Sequence, residues 1–303
     1  MSLAVEPPRS IGDAEFARFQ AWIQRESGIY LPDSKRTLLI RRLGRRVAEL
    51  GLDSFSAYYH RAKELGDSET VRMIDCLCTH ETSFFREAKQ FELLAKQVLP
   101  AWASEADLGT RPRRVRAWSA ACSTGEEPFS LAMLLAATLP VEAGWRIEIL
   151  ASDLSTRILA LAKEAVWPAE RASGVPESFR KRFLLRGMNR HEGKVKAAPE
   201  IQRLVRFERI NLAAVRYPVE TGLDLIFCRN VLIYFDPATR AGVISRLARH
   251  LRPGGLLFLG HAENLAGAAG PDFRPEAPNV YRRAETALRA RLASPAPPPA
   301  DTP

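Results

Sequence analysis

A chain of 303 residues, 46% hydrophobic and 26% charged, has the length and balance of a globular protein with an ordinary core. Its formal net charge of +9 implies an acidic counterpart, whether nucleic acid, an anionic membrane surface or an acidic protein face. No apolar run approaches the roughly 18 residues of a bilayer span, and MSLAVEPPRSIGDAEF lacks the pattern of a secretory signal, so a cytoplasmic protein without membrane insertion is expected.

Residues 11 to 105 read as helical. DAEFARFQAWIQRESG sets Phe16, Phe19 and Ile23 at helical spacing and stops at Gly28. DSKRTLLIRRLGRRVAELG has an N-cap in Asp33 or Ser34 and one apolar stripe of Leu39, Leu43, Val47 and Leu50. SFSAYYHRAKELG and SETVRMIDCLCTH give two short helices, and AKQFELLAKQVLPAW gives another, ended by Pro100. Cys76, Cys78, Cys122 and Cys228 form no C-x-x-C pair and no histidine cluster accompanies them, so reduced thiols are expected and no metal.

After GTRPRR the pattern changes. Strand candidates VRAW, RIEILASD, LVRFERIN, LDLIFCRN and GLLFLGHAEN alternate with helices, which argues for an open, mainly parallel α/β sheet. Residues 179–207 break that rhythm with Gly187, Gly193 and Pro199 and read as a small antiparallel insertion. The terminal SPAPPPADTP is Pro-rich and expected to be disordered.

In such a sheet a ligand sits at the carboxyl ends of the strands. WSAACSTGEEPFSLAM, 118–133, reads as a strand end, a tight loop of small residues and a helix start. One glycine with no following lysine matches neither G-x-G-x-x-G nor a P-loop. Glu126 and Glu127 at the helix entrance suit a cationic, phosphate-free ligand, or else simply complement the helix dipole. S-adenosylmethionine has the required ammonium, sulfonium and ribose hydroxyls. Asp153, ending LASD, then reads as the ribose acid or as a turn acid before Ser155.

THETSFFRE, WSAACSTGEEPFSLAM, FERINL, FCRNVLIYFD and GGLLFLGHAEN, in this order, resemble the chemotaxis receptor methyltransferases of the CheR type over residues 11 to 283. The resemblance implies a class I S-adenosylmethionine-dependent methyltransferase fold, Rossmann-like with a seven-stranded, mostly parallel sheet. It implies an N-terminal helical domain over 11–90, a cofactor-binding domain over 91–284 with a β-subdomain inserted at about 179–207, and a tail over 285–303. The implied activity is methylation of glutamate side chains on chemoreceptor cytoplasmic helices, giving methyl esters and S-adenosylhomocysteine. The implied cofactor contacts are Thr82, Arg86, Glu126, Asp153, Asn211, Leu212, Arg229 and Asn230, with His80 where the family often has Asn.

A glutamate acceptor is already ionised at pH 7, so no general base is needed. Arg86 and Arg229 then steer the carboxylate, and Tyr234 orients it or fills the pocket wall. Arg41, Arg42, Arg45 and Arg46 form a basic face, read as solvated or, on the resemblance, as the dock for acidic receptor helices. The resemblance also allows a receptor C-terminal tether peptide on the β-subdomain. The competing readings are a nucleic-acid or other protein methyltransferase, and a catalytically weak receptor-binding module. RNVLIYF lacks the Asn/Asp-Pro-Pro-aromatic pattern of amino-directed nucleic-acid enzymes, and no nucleic-acid partner is expected.

Overall fold

The computed structural model describes residues 6–265 and 272–285. Four helices come first: α1 (Asp13–Ser27), α2 (Arg36–Glu49), α3 (Phe55–Leu65) and α4 (Asp67–Leu77). They share a core of Phe16, Phe19, Trp22, Leu39, Leu43, Val47, Phe55, Tyr58 and Met73, at the helical spacing the sequence displays. Neither Asp33 nor Ser34 caps α2 through its side chain; both lie in a 3₁₀ turn that leads into it. Gly28 ends α1 with φ 73° and donates to the Gln24 carbonyl. A Cβ at Gly28 would come 2.4 Å from the Ala213 Cβ, so glycine also permits the close seating of α1 on the sheet loops.

Next come α5 (Ala88–Leu93) and α6 (Leu99–Asp107), joined through a π turn at Leu94–Val98. Pro100 therefore does not end the helix. Leu99 donates to the Leu94 carbonyl, and the widened turn brings Pro100 to the start of α6, where a missing N–H is tolerated.

Strand and helix then alternate: β1 (Arg114–Ala120), α7 (Glu126–Thr138), β2 (Arg146–Asp153), α8 (Thr156–Glu164), β3 (Val166–Pro168), α9 (Glu177–Phe183), β4 (Leu184–Arg186), β5 (Lys194–Ala197), α10 (Pro199–Gln202), β6 (Val205–Arg209), β7 (Leu223–Cys228), α11 (Pro237–His250), β8 (Leu251–Leu259), β9 (Phe273–Ala277) and β10 (Val280–Arg283). Seven strands form one sheet in the order β6-β2-β1-β7-β8-β10-β9. The first five run parallel, and the β9–β10 hairpin closes the edge antiparallel. This is the seven-stranded class I architecture expected. The hairpin strands were not among the strand candidates, because FRPEA and VYRR are short and largely polar.

Side chains alternate across the sheet. Val115, Ala117, Leu225 and Phe227 face the core shared with α5, α6 and α7, while Trp118, Ala120, Ile226 and Cys228 face α11. A separate antiparallel sheet has the order β3-β5-β4. Its bounds differ from the expected 179–207: the first strand begins at Val166, and residues 205–207 belong to the main sheet, paired with β2. A three-residue strand carries no readable period, so Val166–Pro168 is not among the strand candidates of the sequence. Apart from Glu285, the expected tail lies outside the described residues. Among the described residues no helix is long and apolar enough to cross a membrane.

Candidate functional site

From β1 the chain proceeds to β2 and β6 on one side, then returns to β7 and β8 on the other. The loops beyond β1 and β7 diverge at this switch and leave a cavity. The helical unit closes it through Ser27, Ile29 and the segment Leu77–Thr82. That closure is tied down by Asn211 Nδ2 donating to the Glu26 carbonyl at 2.8 Å and by Tyr30 N donating to the Tyr234 carbonyl at 2.8 Å.

Two loops facing the cavity hold strained backbone. Ala121 and Ser123 have φ of 68° and 50°, and Phe85 and Glu87 have φ of 52° and 60°. L-residues occupy this left-handed region at a cost of about 1–3 kcal/mol each, and such residues cluster where a fold pre-shapes a ligand site.

His80, Thr82, Arg86, Asp153, Asn211, Leu212, Arg229, Asn230 and Tyr234 all line the cavity. Asp153 ends β2, and its two oxygens accept the backbone N–H of Ser155 and of Ser123, each at 3.0 Å. Burial raises its pKa, and those N–H groups oppose the rise. Each carboxylate oxygen keeps a lone pair for a further donor. His80 is held neutral at pH 7: burial, reinforced by Arg157, lowers its pKa to about 4. Its Nε2 is buried without a hydrogen-bond partner. Arg86 donates from Nη1 to the Glu81 carbonyl at 2.9 Å, and Tyr234 is half-buried at the rim.

Glu126 is the expected site residue that does not line the cavity. Its carboxylate accepts from Thr124 Oγ1 at 2.6 Å and pairs with Arg171 at 2.6 Å. Glu127 lines the wall instead, accepting from Ser119 Oγ at 2.6 Å and from Arg229 Nε at 2.8 Å. The two acids expected to repel phosphate are thus each neutralised by an arginine. The buried acid in the wall without an ion pair is Asp153; the other unpaired acid of the lining, Glu81, is exposed.

Arg229 does not fit the expected task of gripping an incoming carboxylate. Its side chain is 2% exposed, and its Nη1 donates to the Arg86 carbonyl at 2.6 Å and to Gln90 Oε1 at 3.2 Å. A buried cation needs its partners inside, and Arg229 has them. It fixes the Arg86 backbone, and so works through Arg86.

Sequence reasoning passed over Glu263. Its carboxylate accepts the backbone N–H of Asn230 at 2.9 Å, Gly260 at 2.8 Å and Ile233 at 3.3 Å, clipping the loop after β7 to the end of β8. The signal was an acid in GHAEN directly after a wholly apolar strand end.

The basic face of α2 divides. Arg41 and Arg45 are exposed. Arg42 donates to the Leu77 and Cys78 carbonyls at the end of α4, at 2.5 and 3.1 Å. Arg46 forms a bidentate pair with Glu69, at 2.9 and 2.7 Å. The fold therefore removes Arg42 and Arg46 from the expected docking face, since their guanidiniums hold α2 against α4.

Sequence comparison places the cavity in a family context. The family description "CheR methyltransferase, SAM binding domain" matches residues 80–276, and "CheR methyltransferase, all-alpha domain" matches residues 14–78. The chain is similar to chemotaxis protein methyltransferase 2 of Pseudomonas aeruginosa, 39% identical over 260 residues covering 84% of this chain and 88% of the relative. It is similar to the chemotaxis protein methyltransferase of Escherichia coli, 39% identical over 258 residues covering 85% and 86%. The chemotaxis protein methyltransferase of Borreliella burgdorferi is 31% identical over 255 residues covering 84% and 89%.

Proposed function

The chain belongs to the CheR methyltransferase family, and on that premise we propose that it methylates glutamate side chains on the cytoplasmic helices of chemoreceptors. It is a methyltransferase with an S-adenosylmethionine-binding domain. The observation that carries the reading is the Asp153 carboxylate, buried at the end of β2 and free of an ion pair, in a cavity lined by small, strained residues. Its two remaining acceptor positions suit a ribose diol. The unpartnered His80 Nε2 suits a polar group of the methionyl part. Thr82, Arg86, Asn211, Leu212 and Asn230 line the same cavity, and in this reading Asn211 and Leu212 flank the adenine.

Bound S-adenosylmethionine supplies an electrophilic methyl group on a cationic sulfur, and S-adenosylhomocysteine is the product. The chain's residues supply alignment and water exclusion. The acceptor glutamate arrives ionised, since its ordinary pKa is about 4.3, and attacks the methyl carbon without a base. Arg86, half-buried at the mouth with donors beyond its one bond to Glu81, positions that carboxylate. Tyr234 at the rim orients it. Glu127 and Arg229 set the wall behind them. No metal takes part in this reading.

Arg41 and Arg45 form the docking charge for acidic receptor helices. The edge strands β3 and β4 of the small sheet provide backbone groups for a tethering peptide by strand addition. The test is tritiated methyl transfer from S-adenosylmethionine to a receptor cytoplasmic fragment. Base-labile label on glutamates, absent from DNA and RNA, is expected. Base-stable label, or label on nucleic acid, would overturn the reading.

A further inference from the structure

The amino ends of the parallel strands, at the far end of the sheet from the cavity, border a second cleft. Its charged lining is Arg111, Arg114, Arg116 and Arg252 against Glu105 and Asp224, four cations and two carboxylates. The sequence contributes three of these arginines from one short stretch, TRPRRVR, which the methyl-transfer reading leaves without a role.

Asp224 organises the cleft. Its Oδ1 accepts from Arg111 Nη2 at 2.5 Å and Arg252 Nε at 2.7 Å, and its Oδ2 accepts the Arg116 backbone N–H at 2.8 Å. One negative charge is thus shared between two guanidiniums. Arg111 is the most confined: its side chain is 6% exposed and its guanidinium carbon lies 3.9 Å from the Trp102 ring centre. Even so, its Nε has no acceptor, and the Arg114 Nε is likewise buried without one. Burial lowers the Arg111 pKa, with Arg252 adding to the effect and Asp224 opposing it. Glu148 and Glu220 reach Arg114 and Arg116 from outside the lining, at 2.7 and 3.2 Å. The Glu220 side chain is 76% exposed, where solvent screening leaves little net attraction.

Buried donors are nearly always satisfied in native proteins, and an unsatisfied one points to an absent water or ion. Two of them on guanidiniums, in a cleft whose lining carries four arginines against two carboxylates and is only partly offset from outside by Glu148 and the screened Glu220, point to an anion as the missing acceptor. We propose that this cleft is a binding site for a small phosphate dianion, either free phosphate or the phosphoryl group of a phosphate monoester. The planar, five-donor arginine fork is the side chain suited to phosphoryl oxygens. The site is independent of the methyl-transfer cavity.

The test is calorimetric titration of the full chain with inorganic phosphate and with adenosine monophosphate, at constant ionic strength. Saturating S-adenosylhomocysteine keeps the nucleotide out of the methyl-transfer cavity. Saturable binding of at least one of the two is expected. It should weaken by about tenfold or more in Arg116→Gln and in Arg114→Gln, a loss each titration reads directly. Equal binding of the two assigns the phosphoryl group alone, and preference for the nucleotide assigns a monoester. Thermal melting checks the fold of each variant, and Arg114→Gln, whose partner Glu148 is partly exposed, decides if Arg116→Gln is unstable. No saturable heat at millimolar ligand, or affinities unmoved in both variants, would overturn the proposal.

Discussion

The arginines of α2 should separate into a docking pair and a structural pair. Arg46→Ala strips Glu69 of its bidentate partner, leaving a carboxylate 2% exposed with only the Tyr58 hydroxyl at 2.9 Å in hydrogen-bond contact. Burial opposes the charge on Glu69, yet Arg46 and Tyr58 together bring its pKa below the ordinary value, so the paired carboxylate is net stabilised. Removing one member of a buried pair costs about 3–5 kcal/mol, and the 14% exposure of Arg46 points to the lower end. At about 1.6 °C per kcal/mol for a chain of 303 residues, the melting temperature should fall by roughly 5 °C. The double reversal Arg41→Glu with Arg45→Glu touches exposed groups and should move stability by no more than about 0.5 kcal/mol. Its effect falls on docking. Replacing two exposed attractions by repulsions is worth about 1–2 kcal/mol together, a roughly 5- to 30-fold rise in KM for an acidic receptor fragment. Thermal melting and tritiated methyl transfer, both at low salt, read the two effects separately. The KM difference should collapse near 1 M salt, where screening acts over about 3 Å. An unchanged KM in the double variant, or an unchanged melting temperature in Arg46→Ala, would refute the division.

Four further outcomes follow from the cavity. Asp153→Ala should weaken S-adenosylhomocysteine binding at least tenfold by calorimetry, since hydrogen bonds to a charged group are worth about 1.5–3 kcal/mol each; unchanged affinity would remove the ribose role. Glu127→Gln leaves Arg229 buried without a full counter-charge and should lower denaturant stability by about 3 kcal/mol, whereas Glu126→Gln, whose partner Arg171 is exposed, should cost markedly less. Glu263→Gln keeps size but weakens the clip on Asn230, so kcat and cofactor affinity should fall together; a change in melting temperature alone would mean the clip is only structural. His80 has a lowered folded pKa, about 4 against 6.5 unfolded, so the unfolded chain takes up the proton first. Its contribution is therefore intact above pH 6.5 and is lost as pH falls toward 4, and His80→Asn should flatten that part of the urea-midpoint profile between pH 7 and 5.

How much of this was legible in the sequence depended on range. Asp153 and the loop Ser119–Gly125 were readable because a strand end, a small-residue turn and a helix start are consecutive in the chain. The choice between Glu126 and Glu127 was not. Neighbouring helix residues point about 100° apart, and only the position of β1, with Ser119 on one side, and of Arg171, on a segment after β3, decides which acid meets the cavity. Arg229 was misread for the same reason: its counter-charges, Glu127 and Glu87, are supplied by α7 and the loop before α5. The α2 arginines are different, because their phase was on the page. Taking the stripe Leu39, Leu43 and Val47 as the buried direction, Arg41 and Arg45 lie about 160° away, while Arg42 and Arg46 lie only about 60–100° away, at the edge of the packed face. A guanidinium at that edge reaches inward whenever an acceptor is near, as Glu69 and the α4 carbonyls are here. Helix phase could have divided the four residues. What lay beyond it was the partner, because Glu69 is 23 positions away along the chain, and only folding brings it into contact.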